Sequence, residues 1–461
     1  MIQLSCADIL KAVDGKLVSG DLSQRFLSIS TDSRNICAGA LFIPLIGENF
    51  NGHDFIGDAV KADAFGTLAS QDTGLLPDGD FTVIRVDDTL KALGLIAGYY
   101  RSLFSIPVVA VTGSVGKTGT KELIAAALSR QLKVLKSEAN LNNEIGMPQT
   151  LLGITREHEA VVLEMGMRGS GEISYLSCIA RPDIAVITNI GLAHIERLGS
   201  RENILKAKME ILDGLKENGT VILNGDDAML HGFKDLLPFK TILFGFDESC
   251  DYRAENIISQ GENGCDFDVK IRNTIYKVRT TMPGMHNVIN SLAAIAVASE
   301  MGVTPENVIA GISDCVPEKM RQNIISVNGI KIIDDVYNAN PYSMTAAMNV
   351  LKDISRKGRA IAVLGDMLEL GAWTDAAHNE IGAEAFKVGV GEIVAIGEYS
   401  ANIRDGAVNA GFDPYKIHVF DSNQEAIEFL KSFVTIGDTI LVKGSRGMKM
   451  EGIVSALTSN E

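Results

Sequence analysis

No window of this 461-residue sequence approaches the roughly 18 uninterrupted apolar residues of a membrane-crossing helix. The first residues, MIQLSCADILKAVDG, have neither a basic flank nor a long apolar core; they read as the start of an amphipathic helix, not as an export signal. Cysteine is sparse, with six residues that form no C-x-x-C pair and no metal-ligand spacing. Such thiols are expected to be reduced, which places the chain in the cytoplasm. Positive charge is also in deficit, with 42 Lys plus Arg against 58 Asp plus Glu and a formal charge of -16. That field repels nucleic acid and anionic membrane, so a phosphate-bearing ligand must be held by local groups. No internal repeat, low-complexity segment or G-x-G-x-x-G occurs, and nothing argues for NAD.

At 46% hydrophobic and 22% charged, the composition is that of a globular protein. About 150 residues per domain gives three domains. Residues 1–85 read as a small mixed α/β unit of short apolar runs broken by turn residues. Residues 86–316 open with a helical segment, DDTLKALGLIAGYYRSLF. Apolar strands then alternate with helices, the pattern of a mainly parallel sheet: VVAVT (108–112), AVVLEMG (160–166), DIAVITNIG (183–191), TVILNGD (220–226) and TILFG (241–245). Alternating residues from Asp251 to Met282 suggest antiparallel strands at the sheet's edge, before the helical run HNVINSLAAIAVASEMG. Residues 317–461 read as a separate Rossmann-like α/β sheet built from IKIIDDV, RAIAVLGD, EIVAIGE, KIHVF and DTILVKGS.

The stretch VAVTGSVGKTGTKE (109–122) is a strand, a glycine-bracketed turn and a helix, the setting in which backbone N–H groups and a helix N-terminus receive a polyphosphate. Gly113 and Gly116 permit the turn, Lys117 supplies a charge for the outer phosphates, and Thr118 can ligate Mg2+. The usual spacing wants a glycine at position 111, where Val111 stands. Otherwise the turn merely closes a β-α unit and Lys117 is solvated. Glu164 and His194 follow neighbouring strands, where open α/β sheets gather their ligands, and either could instead be a cap or loop residue.

With the shortened loop TGSVGKT, four motifs make the chain resemble the Mur ligases, which build the peptide stem of bacterial cell wall: NLNNEIGMP (140–148), EMGMRGSGEI (164–173), ITNIGLAHIERLGS (187–200) and GMHNVINSLAA (284–294). Within the family, STDSR (30–34), DDVYNANPYSM (334–344), GDMLELG (365–371) and VKGSRGMKME (442–451) resemble the member that adds D-Ala-D-Ala to UDP-N-acetylmuramoyl-tripeptide. The D-N-P-R segment of the tripeptide-forming relative is absent. The resemblance implies a UDP-substrate domain, a central P-loop ATPase and a C-terminal domain for the amino substrate. It also implies use of ATP and Mg2+ and an acyl phosphate intermediate; the chain is expected to be a monomer. A folylpolyglutamate-type ligase shares the fold but lacks the N-terminal domain. A switch or motor NTPase would leave the last domain without a task.

By the same resemblance Gly113, Ser114, Val115, Gly116, Lys117, Thr118 and Gly119 hold the phosphates, and Thr118 with Glu164 holds one Mg2+. His194 serves a second ion, and Lys208 falls where the family carries a carbamylated lysine. From spacing alone Lys208 is a solvated helix lysine. Asn287 and Asn290 match contacts to adenine, though as bare sequence they are polar residues on an exposed helix face. Arg321 and Asp335 match residues that reach back to phosphate and ribose. Asp32, Ser33 and Arg34 match the uridine site, with Asn49, Gly52 and His53 in a matching loop. Asn142 and Asn143 match contacts to the diphosphate or sugar. Asn338, Asn340, Lys443, Ser445 and Arg446 are candidates for the dipeptide carboxylate and stem, and Asn340-Pro341 also reads as a helix start. The chain departs from the family at Gly119, commonly Ser or Thr, and at Glu318-Lys319-Met320 before Arg321, commonly with a Gly.

Overall fold

The computed structural model describes residues 2–72, 81–271, 273–355 and 358–459. Arg272, inside the alternating patch, lies outside them. Among the described residues the strands form sheets of two, five, nine and six.

The nine-stranded sheet carries the phosphate loop. Its strand Val108–Thr112 lies between Ala160–Glu164 and Ile184–Ile187, with Thr220–Asn224 and Lys240–Gly245 beyond, all parallel. These strands are apolar without alternation because helices cover both faces. Val109 and Val111 pack with Leu123, Ala127 and Leu292 on one face, while Val108 and Ala110 pack with Leu93, Ile96 and Leu176 on the other. Helix Met285–Glu300 is buried almost all round, as its near-continuous apolar run requires.

Several expected strands are shortened. AVVLEMG ends its pairing at Glu164, and DIAVITNIG pairs only over Ile184–Ile187, so the chain leaves the sheet well before His194. The alternating patch forms Tyr252–Ser259, Cys265–Ile271 and Thr274–Thr280, antiparallel among themselves. Its first strand, however, joins Lys240–Gly245 in parallel, which corrects the wholly antiparallel expectation.

In the six-stranded sheet Ile330–Asp334, Thr439–Lys443, Ala360–Gly365, Glu392–Ile396 and Ile417–Phe420 run parallel. Asn323–Val327, unforeseen from sequence, adds an antiparallel edge. Its turn is Asn328-Gly329, with φ of 50° and 79°, the pair of positive values that a tight hairpin demands and Asn-Gly supplies.

Near the N-terminus a five-stranded mixed sheet precedes helix Thr89–Ser102. This helix, capped by Asp88, fastens to the nine-stranded body. Tyr100 donates to the Ile154 carbonyl at 2.6 Å, and buried Arg101 donates to the carbonyls of Ala180, Phe104 and Ile106.

Candidate active site

The phosphate loop is held by the segment after strand Ile184–Ile187. Ser114 N and Val115 N donate to the Asn189 carbonyl and side chain, each at 3.0 Å, and the Thr188 hydroxyl donates to the Val115 carbonyl. Gly113, at φ 151°, leaves no room for a Cβ beside the Thr188 hydroxyl, and a Cβ on Gly116 would meet Asn290 Oδ1 at 2.9 Å. Two residues between these glycines therefore suffice, because the neighbouring strand's exit supplies the loop's second wall. Gly119 belongs to the same packing: a Cβ there would lie 3.1 Å from Asn290 Nδ2.

Lys117 Nζ donates to the Gly113 carbonyl at 2.7 Å. Burial pushes its pKa down, Glu164 opposes, and Arg321 adds to the depression. Glu164 is buried and doubly bound, accepting from Thr118 Oγ1 and Asn142 Nδ2, each at 2.8 Å. Lys208, on helix Arg201–Met209, is 1% exposed, which overturns its reading as a solvated lysine. Burial first, then the charge of Lys117, drives its ammonium pKa well below the lysine range. His194 caps a short helix in left-handed backbone, with Nδ1 2.8 Å from Glu369 Oε2. Burial and Lys117 push the imidazole pKa down while Glu369 opposes.

Lys117, Thr118, Asn142, Glu164 and His194, but not Lys208, line a cavity of about 650 Å³ that also takes in Asn143, Asn287, Asn290, Arg321, Asp335, Asn338, Asn340 and Lys443. Asn287 and Asn290 are buried, not on an exposed face: Asn290 Oδ1 accepts from Thr120 and its Nδ2 donates to Asn287. Arg321 lies over the Tyr337 ring, 3.9 Å from its centroid. Asp335 and Lys443 form a buried ion pair at 2.8 Å, and Lys443 also donates to the Asn338 carbonyl at 2.8 Å. The Lys443 ammonium is thus already engaged within the protein. Asn340 caps helix Pro341–Ile354 through its side-chain oxygen, as the Asn-Pro reading allowed, and Asn143 Oδ1 accepts from Ile145 N and Gly146 N. A smaller cavity of about 210 Å³ joins His194, Asn338, Asn340 and Glu369 to Ser445 and Arg446.

Neither cavity includes Asp32, Ser33, Arg34, Asn49, Gly52 or His53. Asp32 pairs with Arg34 at 2.9 Å, and that hydrogen-bonded guanidinium lowers the Asp32 pKa to about 2. Gly52 is buried against the Leu45 backbone, and His53 Nε2 accepts from Ser70 N at 3.0 Å. Gln149 reaches from the nine-stranded body to Thr31 Oγ1 at 2.7 Å, tying the segment just before Asp32 to that body.

Three family models match successive stretches: "Mur ligase family, catalytic domain" over residues 26–101, "Mur ligase middle domain" over 111–298, and "Mur ligase, glutamate ligase domain" over 320–446. The UDP-N-acetylmuramoyl-tripeptide--D-alanyl-D-alanine ligase of Bacillus subtilis is 39% identical over 460 residues, covering 99% of each chain. The chain belongs to the Mur ligase family. Among solved structures this Mur ligase resembles MurF from Acinetobacter baumannii, with 32% identity, 99% of each chain covered and a TM-score of 0.91. It also resembles the MurF ligase from Thermotoga maritima in complex with ADP, with 27% identity, 94% and 97% covered and a TM-score of 0.82.

Several residues of this Mur ligase site escaped the sequence reading. Thr188 and Asn189 lie within ITNIGLAHIERLGS (187–200), where nothing local marks them as the loop's anchors. Lys121, one turn beyond Thr118, is fully buried and donates to the Ser137 carbonyl at 2.7 Å and to Glu318 at 2.9 Å. Glu122 lies 3.0 Å from the same ammonium. The Glu318 segment that departs from the family is thus pinned to the phosphate-loop helix, which fixes the register of Arg321. Glu369 gave no local signal, since its partner is 175 residues away.

Proposed function

We propose that the chain joins D-Ala-D-Ala to UDP-N-acetylmuramoyl-tripeptide with consumption of ATP, as a peptidoglycan precursor ligase. The observation that carries this reading is one cavity that brings Lys117, Thr118 and Glu164 together with Arg321, Asp335 and Asn338 of the last sheet. A nucleotide on the loop and an amine held by the last sheet can meet in that space. The assigned segments are 1–85 for the UDP end, 86–316 for ATP and 317–461 for the dipeptide. The protein is read as a cytoplasmic monomer.

The tripeptide carboxylate attacks the γ-phosphorus and the bond to ADP breaks, leaving an acyl phosphate. The dipeptide amine then attacks the carbonyl carbon, loses a proton and expels phosphate. Loop N–H groups and Lys117 face the charge that gathers between γ-phosphate and carboxylate, which is positioning and electrostatics rather than covalent work.

No group of three or more His, Cys, Asp or Glu poised for a metal occurs among the described residues. That suits Mg2+, which takes one or two protein oxygens and completes its shell with phosphate and water. The oxygen pair Thr118–Glu164 fits such an ion, and His194 with Lys208 would serve a second. When bound, Mg2+ supplies neutralisation of phosphate charge. Lys208 suits carbamylation because its environment favours the neutral amine, whose nitrogen can bond to CO2 with loss of one proton. The product is an anion beside Lys117 in place of the neutral amine.

The test is phosphate release by purified protein given ATP, Mg2+ and UDP-N-acetylmuramoyl-tripeptide, with and without D-Ala-D-Ala. Release that requires the dipeptide is expected; release indifferent to it overturns the proposal.

A further inference from the structure

His194 and Glu369 meet from the nine-stranded and six-stranded bodies. Both stand in left-handed backbone, at φ 65° and 64°, which is uncommon for residues with side chains and, where it persists, is held by the surroundings. The Glu369 loop is tied to its surroundings by side chains. Met367 N donates to buried His378 at 2.9 Å, and Leu368 N donates to Ser445 Oγ at 2.9 Å. The loop also closes over the histidine's own segment: the Glu369 carbonyl faces Glu196 N at 3.4 Å, and a Cβ on Gly371 would meet the Glu196 side chain at 3.1 Å.

A carboxylate oxygen can only accept, so the 2.8 Å contact calls for a proton on His194 Nδ1, and in the neutral ring the lone pair then lies on Nε2. No protein group among the described residues takes Nε2, and the ring lines both cavities. Metal-binding histidines are oriented in this way, by a carboxylate on the nitrogen away from the metal. We propose that Glu369 is a positioning residue that presents His194 Nε2 to the second metal ion, so that docking of the C-terminal body completes the metal site. The inference rests on the proposed reading of His194 as a metal ligand.

Two measurements test it without relying on turnover. Ring-nitrogen NMR of 15N-histidine-labelled, metal-free protein should show His194 protonated on Nδ1, with Glu369→Ala moving it toward the other tautomer. Mn2+ titration with ADP present, followed by EPR of the free ion, should show one ion bound about 10- to 100-fold more weakly in Glu369→Ala. Glu369→Gln, which keeps size and an acceptor oxygen, should lose less. His194→Ala should weaken the same ion. Unchanged tautomer and unchanged Mn2+ binding in Glu369→Ala, with the ion lost in His194→Ala, would overturn the role of Glu369 alone. Unchanged binding in His194→Ala would remove the metal-ligand reading, and this inference with it.

Discussion

The Thr118 hydroxyl donates to Glu164 across 2.8 Å, and Asn142 occupies the other carboxylate oxygen at the same distance. One carboxylate therefore orders the first turn of the phosphate-loop helix and the segment 140–143 together. Glu164→Gln keeps the shape and removes the charge. Phosphate release should fall by about 10²- to 10³-fold, as when a placed electrostatic group is lost, while the melting temperature holds. Lys117→Ala should do the same, and steady-state kinetics with a thermal melt check both.

Lys208 provides a pH test. Its folded pKa lies well below the ordinary 10.5, so in the window between those values the unfolded chain binds more protons and stability rises with pH. In CO2-depleted, metal-free buffer, Lys208→Met should melt higher than the parent near neutrality. The gap should close as pH climbs toward 10.5, and ligase activity should be lost. Lys208→Ala should regain activity with added short carboxylates if a carbamate is the working group.

Lys121 sits between Glu122 and Glu318 with its ammonium fully buried. Lys121→Met would leave Glu318 without a cationic partner among the described residues and Glu122 with Lys136 alone. Removing one partner of a buried pair costs about 3–5 kcal/mol, so the melting temperature should drop by several degrees. Adding Glu318→Gln should recover part of the loss.

Arg34 is exposed and pairs only with Asp32 among the described residues. Arg34→Ala should raise KM for the UDP substrate by about tenfold, the order of one hydrogen bond to a charged group, and leave KM for ATP unchanged. Equal effects on both substrates would count against a uridine site there.

The sheets were readable because parallel strands buried on both faces print as unbroken Val and Ile runs, and because Gly113, Gly116 and Lys117 carry a local backbone requirement. Asn328-Gly329 carried an equally local signal for the hairpin that the reading passed over. Lys208 was opaque for a physical reason. RENILKAKM is a polar helix, and only the fold decides that one of its lysines turns inward. Glu369 and Glu318 were opaque because contacts between bodies leave no trace in local periodicity. The N-terminal candidates matched by motif, yet folding places them away from the main cavity, on a segment that Gln149 and Thr31 fasten to the nine-stranded body.

The phosphate loop is fastened to Thr188 and Asn189, and the same short stretch of chain runs on to His194. The cradle and the histidine arm therefore share one anchor on the nine-stranded body. The facing wall, with Arg321 and Glu369, belongs to the other body, so a substitution that loosens Thr188 or Asn189 would be felt at His194 as well as at the loop.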